Sequence, residues 1–144
     1  MTTINVYLTF NGNCEEAFLF YKSVFGGEFS HVAKFSEMPE DPKCPISNED
    51  KDKIMHVSLP ISKETVLMGS DTGGEWASQY KAGNNFSISV AAESQDAADN
   101  FFNNLSKDGK IIMPMDKTFW GSHFGMFVDK YGIQWMVSFD EAHI

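Results

Sequence analysis

A strand–helix unit occurs twice in this chain, and that duplication constrains the fold more than any other feature. In the first copy the stretch from Asn5 to Phe10 is followed, after a short gap, by a helical run from Asn13 to Phe25, then by Gly26 and Gly27. In the second, Asn85 to Val90 leads to Ser94 to Leu105, then to Asp108 and Gly109. One constant offset lays Asn5 on Asn85, Phe10 on Val90, Ala17 on Ala97, Tyr21 on Phe101 and Phe25 on Leu105. A duplicated module predicts two similar halves facing a shared hollow, and such a hollow can hold a ligand.

Within the first copy, residues 4–10 alternate: Asn5, Tyr7 and Thr9 point one way, Val6, Leu8 and Phe10 the other. That is the two-residue period of a half-buried strand. Asn13 reads as an N-cap with Glu16 as its capping-box partner. The helix presents Ala17, Phe18, Tyr21, Val24 and Phe25 on one apolar face, and the glycine pair stops it. A strand is expected over 28–36. Residues 37–53, with three prolines and dense charge, read as a long loop. Residues 54–60 and 64–70 form a hairpin across Ile61 to Lys63. Residues 71–84, with Gly73, Gly74 and Gly83, link the copies. The second copy repeats the order: a strand at 85–91, a helix capped by Ser94, and strands near 110–115, 123–129 and 133–139. The expected class is α+β: two βαβββ modules with cupped, mostly antiparallel sheets, each covered by a helix on one face. The chain is expected to form one domain, 1–144, with module one over about 1–71, a linker at 72–84 and module two over 85–144.

The formal net charge of -9 and a pI near 4.7 argue against a nucleic-acid partner, because a phosphate backbone attracts basic surfaces. A cationic ligand is compatible with that charge, as is a surface that is acidic merely for solubility. Two cysteines, Cys14 and Cys44, are too few for a disulfide framework. Cys14 falls in the first turn of the predicted helix, where a thiol pKa can drop, although a buried or simply exposed thiol fits as well. No apolar run reaches the length of a membrane span, and the N-terminus lacks the regions of a signal peptide. A cytoplasmic protein with no membrane partner is expected.

The stretch from Tyr7 to Phe29 closely resembles the opening of PhnB-like proteins, and Phe119 to Trp135 resembles their closing signature. These proteins belong to the vicinal oxygen chelate superfamily, with glyoxalase I, bleomycin-resistance proteins and extradiol dioxygenases. The resemblance spans nearly the whole chain. It implies paired βαβββ modules, usually assembled as a homodimer. Some PhnB-like sequences are described as 3-demethylubiquinone methyltransferases, but the Gly-rich strand-to-helix turn of an S-adenosylmethionine site is not visible here. Superfamily enzymes hold a divalent metal with His or Gln on the first strand and Glu on the last strand of each module. Carried over one at a time, those positions fall at or near Asn5, Met68, Asn85 and Met136. Asn is a poor ligand for transition metals and Met a soft one. No metal and no cofactor is therefore expected.

Strand alternation aims Asn5, Tyr7, Thr9, Met68, Ser70, Asn85, Ser87, Ser89, Gln134, Met136 and Ser138 at the hollow, with Trp120, Phe124 and Met126 offering apolar or stacking contact. The same stripes could instead meet water or a dimer partner. The residues opposite, Phe86, Ile88, Val90 and Trp135, are expected beneath the helices. His56 is the candidate general acid/base, because imidazole titrates near neutrality; the alternative is a rim or core histidine with a local hydrogen bond. His123 could line the mouth from a turn, His31 and His143 read as structural or solvent-facing, and Asp129 reads as closing a hairpin. The leading expectation is a homodimer that binds a small molecule without the usual divalent metal. One rival is a metal-dependent lyase, isomerase or dioxygenase with ligands drawn from His56 and its neighbours. The other is a drug-sequestering resistance protein that traps a cation.

Overall fold

In the computed structural model, residues 2–37, 48–73 and 78–140 are described. The middle of the expected 37–53 loop, Cys44, part of the linker and His143 lie outside them. The chain divides into two compact units, Met1–Lys81 and Ala82–Ile144.

The first unit runs β1 (Val6–Phe10), α1 (Cys14–Phe25), β2 (His31–Lys34), a 3-10 turn (Phe35–Glu37), β3 (Ile54–Pro60) and β4 (Val66–Asp71). Its sheet is ordered β1-β4-β3-β2, with β1 and β4 parallel and the other pairs antiparallel. The second unit repeats this with β5 (Ile88–Ala91), α2 (Gln95–Leu105), β6 (Lys110–Lys117), β7 (Ser122–Val128) and β8 (Gln134–Asp140). Its order is β5-β8-β7-β6, with β5 and β8 parallel. Two βαβββ modules of mixed, mainly antiparallel pairing are the architecture expected from the duplicated sequence.

The apolar face of each strand packs under its helix. Leu8, Phe10, Val57, Leu59 and Leu67 meet Ala17, Phe18 and Tyr21, all buried. Phe18 stands edge-on to Phe10 and Tyr21, at 6.1 and 5.6 Å between ring centroids. In the second unit Phe127, Trp135 and Val137 lie under Ala98, Phe102 and Leu105, with Phe102 edge-on to Phe127 at 5.2 Å. Each such ring contributes roughly 1.5–3 kcal/mol by leaving water. The repeat is not held to one offset. By register β5 lies two residues further along, with Ser89 beside Met136 where Tyr7 lies beside Met68, and α2 is buried one residue further along, so Ala17 corresponds to Ala98 and Tyr21 to Phe102 rather than to Ala97 and Phe101. Phe86 departs from its expected place under a helix: it precedes β5 and is 53% exposed. The strand expected over 28–36 is confined to His31–Lys34, because Gly26 and Gly27 both sit at φ 80° and the chain is still turning there.

The start of α1 differs most from expectation. Asn13 makes no side-chain cap hydrogen bond. The cap is Asp71, at the end of β4 and 57 positions away in sequence. One carboxylate oxygen accepts from the backbone N–H groups of Gly12 and Cys14, at 2.9 Å each, and the other from the N–H of Ile54 at 2.9 Å. Asp71 is buried, so these bonds are of the strong, charge-assisted kind. In the second unit Ser94 caps α2 as expected, accepting from the N–H of Ala97 at 3.0 Å. Asp129 closes the β7–β8 hairpin: it accepts from the N–H groups of Tyr131 and Ile133 and from the indole N–H of Trp135 at 2.8 Å.

Gly69 marks the closest approach of α1 to the sheet. A Cβ there would lie 2.6 Å from the Phe18 ring and 2.9 Å from the Leu8 carbonyl oxygen.

Three measurements test this packing. Asp71→Ala leaves three donors without their acceptor, two of them in buried bonds, and is expected to lower unfolding free energy by about 3 kcal/mol in urea titrations; Asp71→Asn, which keeps one acceptor oxygen, costs less. Gly69→Ala is expected to cost about 1–3 kcal/mol through the forced shift of Phe18. Burial, with Asp71 and then Glu15 nearby, pushes the Cys14 thiol well above the ordinary thiol range, opposite to the helix-start effect considered from sequence. In a Cys44→Ser background, Cys14 should therefore resist alkylation in native buffer and react at the rate of unfolding; rapid native labelling would refute its burial.

Candidate functional site

Because the helix covers one face of each sheet, the alternating side chains of the strands are left on the other. The pairing register assigns them without ambiguity. In the first unit Tyr7 of β1 lies beside Met68 of β4, Met68 beside Ser58 of β3, and Ser58 beside His31 of β2. Thr9 lies beside Ser70, and Ala33 beside His56. This helix-free face thus carries Tyr7, Thr9, His31, Ala33, His56, Ser58, Val66, Met68 and Ser70.

His56 is the centre of a contact chain on that face. The Tyr7 hydroxyl stands 3.5 Å from its Nδ1, and the Ser58 hydroxyl 2.9 Å from its Nε2. Either imidazole tautomer satisfies both contacts, since each hydroxyl can donate or accept. The Tyr7 and His31 rings lie 5.8 and 5.2 Å from the His56 ring, centroid to centroid. Ser58 is buried, His56 half-buried, and Tyr7 and His31 are exposed. A solvent-reachable imidazole is therefore fixed between two hydroxyls with a second imidazole beside it. Alternation along β3 already sets Ser58 on the same side as His56. His31, read from sequence as structural or solvent-facing, is placed here by cross-strand pairing, which no local pattern reports.

Asn5 stands just before β1, and its side-chain oxygen accepts from the N–H of Val66 at 3.2 Å. Its carbonyl thus tethers the first residue of β4. Met68 and Ser70 are half-exposed on the open face.

In the second unit, Ser89 of β5 lies beside Met136 of β8, Met136 beside Met126 of β7, and Met126 beside Met113 of β6. Ser138 lies beside Phe124, and Gln134 beside Val128. The helix-free face is thus a row of three methionines flanked by Phe124 and small polar groups. Asn85 and Ser87 precede β5 rather than lying in it; the Ser87 hydroxyl lies 3.5 Å from the Gln134 side-chain oxygen. Trp120 is 60% exposed in the β6–β7 turn, 6.3 Å from Phe124 and edge-on to it. His123 is not a turn residue: it is the second residue of β7, stacked on Phe139 at 6.3 Å and on the opposite side from Phe124.

The superfamily's divalent metal was tested against these donors. Opposite Met68 the register places Tyr7, and opposite Met136 it places Ser89. Thioether, phenol and hydroxyl do not make a site for the ions bound by His and Glu, and the Asn5 oxygen is engaged by backbone. Among the described residues no group of three or more His, Cys, Asp or Glu is arranged to hold a metal ion. The residues at the family positions do not fit the group. No helix among the described residues is long and apolar enough to cross a membrane.

Comparison with known proteins places the chain. The family model described as 3-demethylubiquinone-9 3-methyltransferase matches residues 2–138. Protein YjdN of Escherichia coli K12 is 30% identical over 141 residues, 94% of this chain and 93% of that protein. The crystal structure of protein PA1353 from Pseudomonas aeruginosa is 37% identical, covers 97% of this chain and 98% of its own, and superposes with a TM-score of 0.82. A putative 3-demethylubiquinone-9 3-methyltransferase, PhnB protein, from Bacillus cereus is 25% identical over 96% of this chain and 99% of its own, with a TM-score of 0.74. Glyoxalase/bleomycin-resistance proteins at 13% and 15% identity share the fold alone, with TM-scores of 0.59 and 0.61. The chain belongs to the PhnB-like family described as 3-demethylubiquinone-9 3-methyltransferase.

Proposed function

We propose that this protein binds a small organic molecule on the helix-free face of its first unit, around His56, without the divalent metal used by superfamily enzymes. The observation that carries this is the contact chain Tyr7–His56–Ser58, a positioned polar group on a sheet face that has no covering helix. Met68 and the Tyr7 ring supply apolar contact, and Thr9 and Ser70 supply further hydroxyls. Apolar walls with a few fixed polar groups are the usual make-up of a ligand site. Ser89, Met136, Phe124 and Trp120 give the second unit a more apolar surface of the same kind. A homodimer is part of the proposal, and size measurement in solution tests it.

Methyl transfer, which the family description and the Bacillus cereus protein's name suggest, finds little support in the β1–α1 turn. A cofactor held at a strand-to-helix turn uses the free N–H groups there. Here the N–H groups of Gly12 and Cys14 are already spent on Asp71.

A second reading rests on the same contact chain. An imidazole between two hydroxyls can pass a proton from one side to the other, which is general acid–base chemistry. Recovery of bound ligand chemically unchanged supports binding alone; conversion that is lost in His56→Gln supports the enzyme.

A thermal-shift screen of metabolites tests the proposal, since a ligand specific for the folded state raises Tm. Hits are expected to lose about tenfold in affinity in Tyr7→Phe, His56→Ala or Met68→Ala, the worth of about 1.4 kcal/mol. Hits that bind all three variants as tightly as the wild type would sink it. Added Mn, Ni or Zn ions are expected to move Tm equally in wild type and in a Met68→Ala, Met136→Ala double variant.

A further inference from the structure

The charge on the first unit's open face runs against that of the chain. The protein carries a formal net charge of -9, with 20 acidic residues. Yet the pairing register puts no Asp or Glu on this face. β1 contributes Tyr7 and Thr9, β4 Val66, Met68 and Ser70, β3 His56 and Ser58, and β2 His31 and Ala33. The acidic residue of these strands, Asp71, is turned to the other side and consumed by three backbone N–H groups. Glu15, which faces Lys34 at 3.9 Å, lies on α1.

What remains is a surface of hydroxyls and two neighbouring imidazoles, His31 and His56, 5.2 Å apart between ring centroids. A neutral imidazole carries one N–H donor and a protonated one carries two. Two adjacent imidazolium groups repel each other unless an anion lies between them. A carboxylate would repel such a ligand, and none is among the described strand residues of this face. A cation would meet no compensating charge there.

We propose that the first unit's face is selective for small organic anions, bound through an oxygen atom directed at His31 and at Nδ1 of His56, where it takes over the long 3.5 Å contact of the exposed Tyr7 hydroxyl while Ser58 keeps Nε2. This rests on the small-molecule reading above and narrows its ligand to one charge class. It runs opposite to capture of a cationic drug, which the overall charge alone would favour.

Three probes of one shape and different charge separate the possibilities: benzoate, benzamide and benzylammonium. The readout is the imidazole carbon-bound proton resonances of His31 and His56 in the intact protein, assigned with His31→Gln and His56→Gln. Benzoate is expected to shift both resonances and to bind about tenfold more tightly than benzamide at pH 6, the worth of one hydrogen bond to a charged group. Each Gln variant should reduce that advantage, and the wild-type comparison stands even if a variant fails to fold. Benzamide or benzylammonium binding as tightly as benzoate would overturn the charge selectivity and leave the small-molecule reading intact. Silence of both imidazoles towards all three probes would overturn the selectivity as well. A metabolite hit from the thermal-shift screen would then still uphold the broader reading, and the lack of any hit would end it.

Discussion

The buried carboxylate of Asp71 ties together three parts of the first unit that are distant in sequence. It ends β4, it caps α1, and it holds the first residue of β3. A helix start leaves unpaired N–H groups that must find partners when buried. Supplying them from the end of a neighbouring strand fixes the helix to one face of the sheet as well as capping it. Among the described residues no buried side-chain nitrogen or oxygen lacks a partner. Asp71 and the close contact at Gly69 commit α1 to that face, and the opposite face of the sheet carries no α-helix among the described residues of the unit.

The two units reach this arrangement by different local chemistry. In the second, the helix cap is local, from Ser94, and the buried carboxylate, Asp129, has moved to the hairpin, where it also anchors Trp135. The polar side chains that shape the turns differ, but the large apolar contacts under the helices have matching roles. Burial of Phe18 or Phe102 sets where the helix lies; the cap sets where it begins.

This difference explains what was legible in the sequence. Strand and helix positions could be read because they rest on short-range periods: β3 begins and ends where alternation predicts, and the glycine pair does stop α1. The Ser94 cap was legible for the same reason, since its partner is three residues away. The Asp71 cap was not, because no local signal connects positions 57 apart, and Asn13 offered a plausible substitute. The candidate site divides in the same way. Alternation alone put Tyr7, Thr9, Met68 and Ser70 on a common face. Alternation likewise put Ser58 on the side of His56, but the placing of His31 beside them needed the antiparallel register of β2 and β3. The single-offset alignment of the copies failed at the helix for a related reason: one residue in a connecting loop shifts a helix by about 100° around its axis, enough to exchange the buried residue.

The methionines bear on why the fold can persist while its usual metal chemistry is not supported by these side chains. On the last strand of each unit, the residue at or near the superfamily's carboxylate position is a thioether, Met68 in one and Met136 in the other. Their register neighbours on the first strand are Tyr7 and Ser89. Replacing a carboxylate by a thioether removes both the charge and the hard oxygen donors that a divalent ion needs. It also removes the cost of gathering carboxylates on one sheet face, where like charges repel without a cation to offset them. The face is then free to carry apolar and neutral polar groups. In the second unit that freedom is taken up by the row Met113, Met126 and Met136, which adapts readily to irregular apolar shapes. In the first, the corresponding face carries the neighbouring imidazoles of His31 and His56.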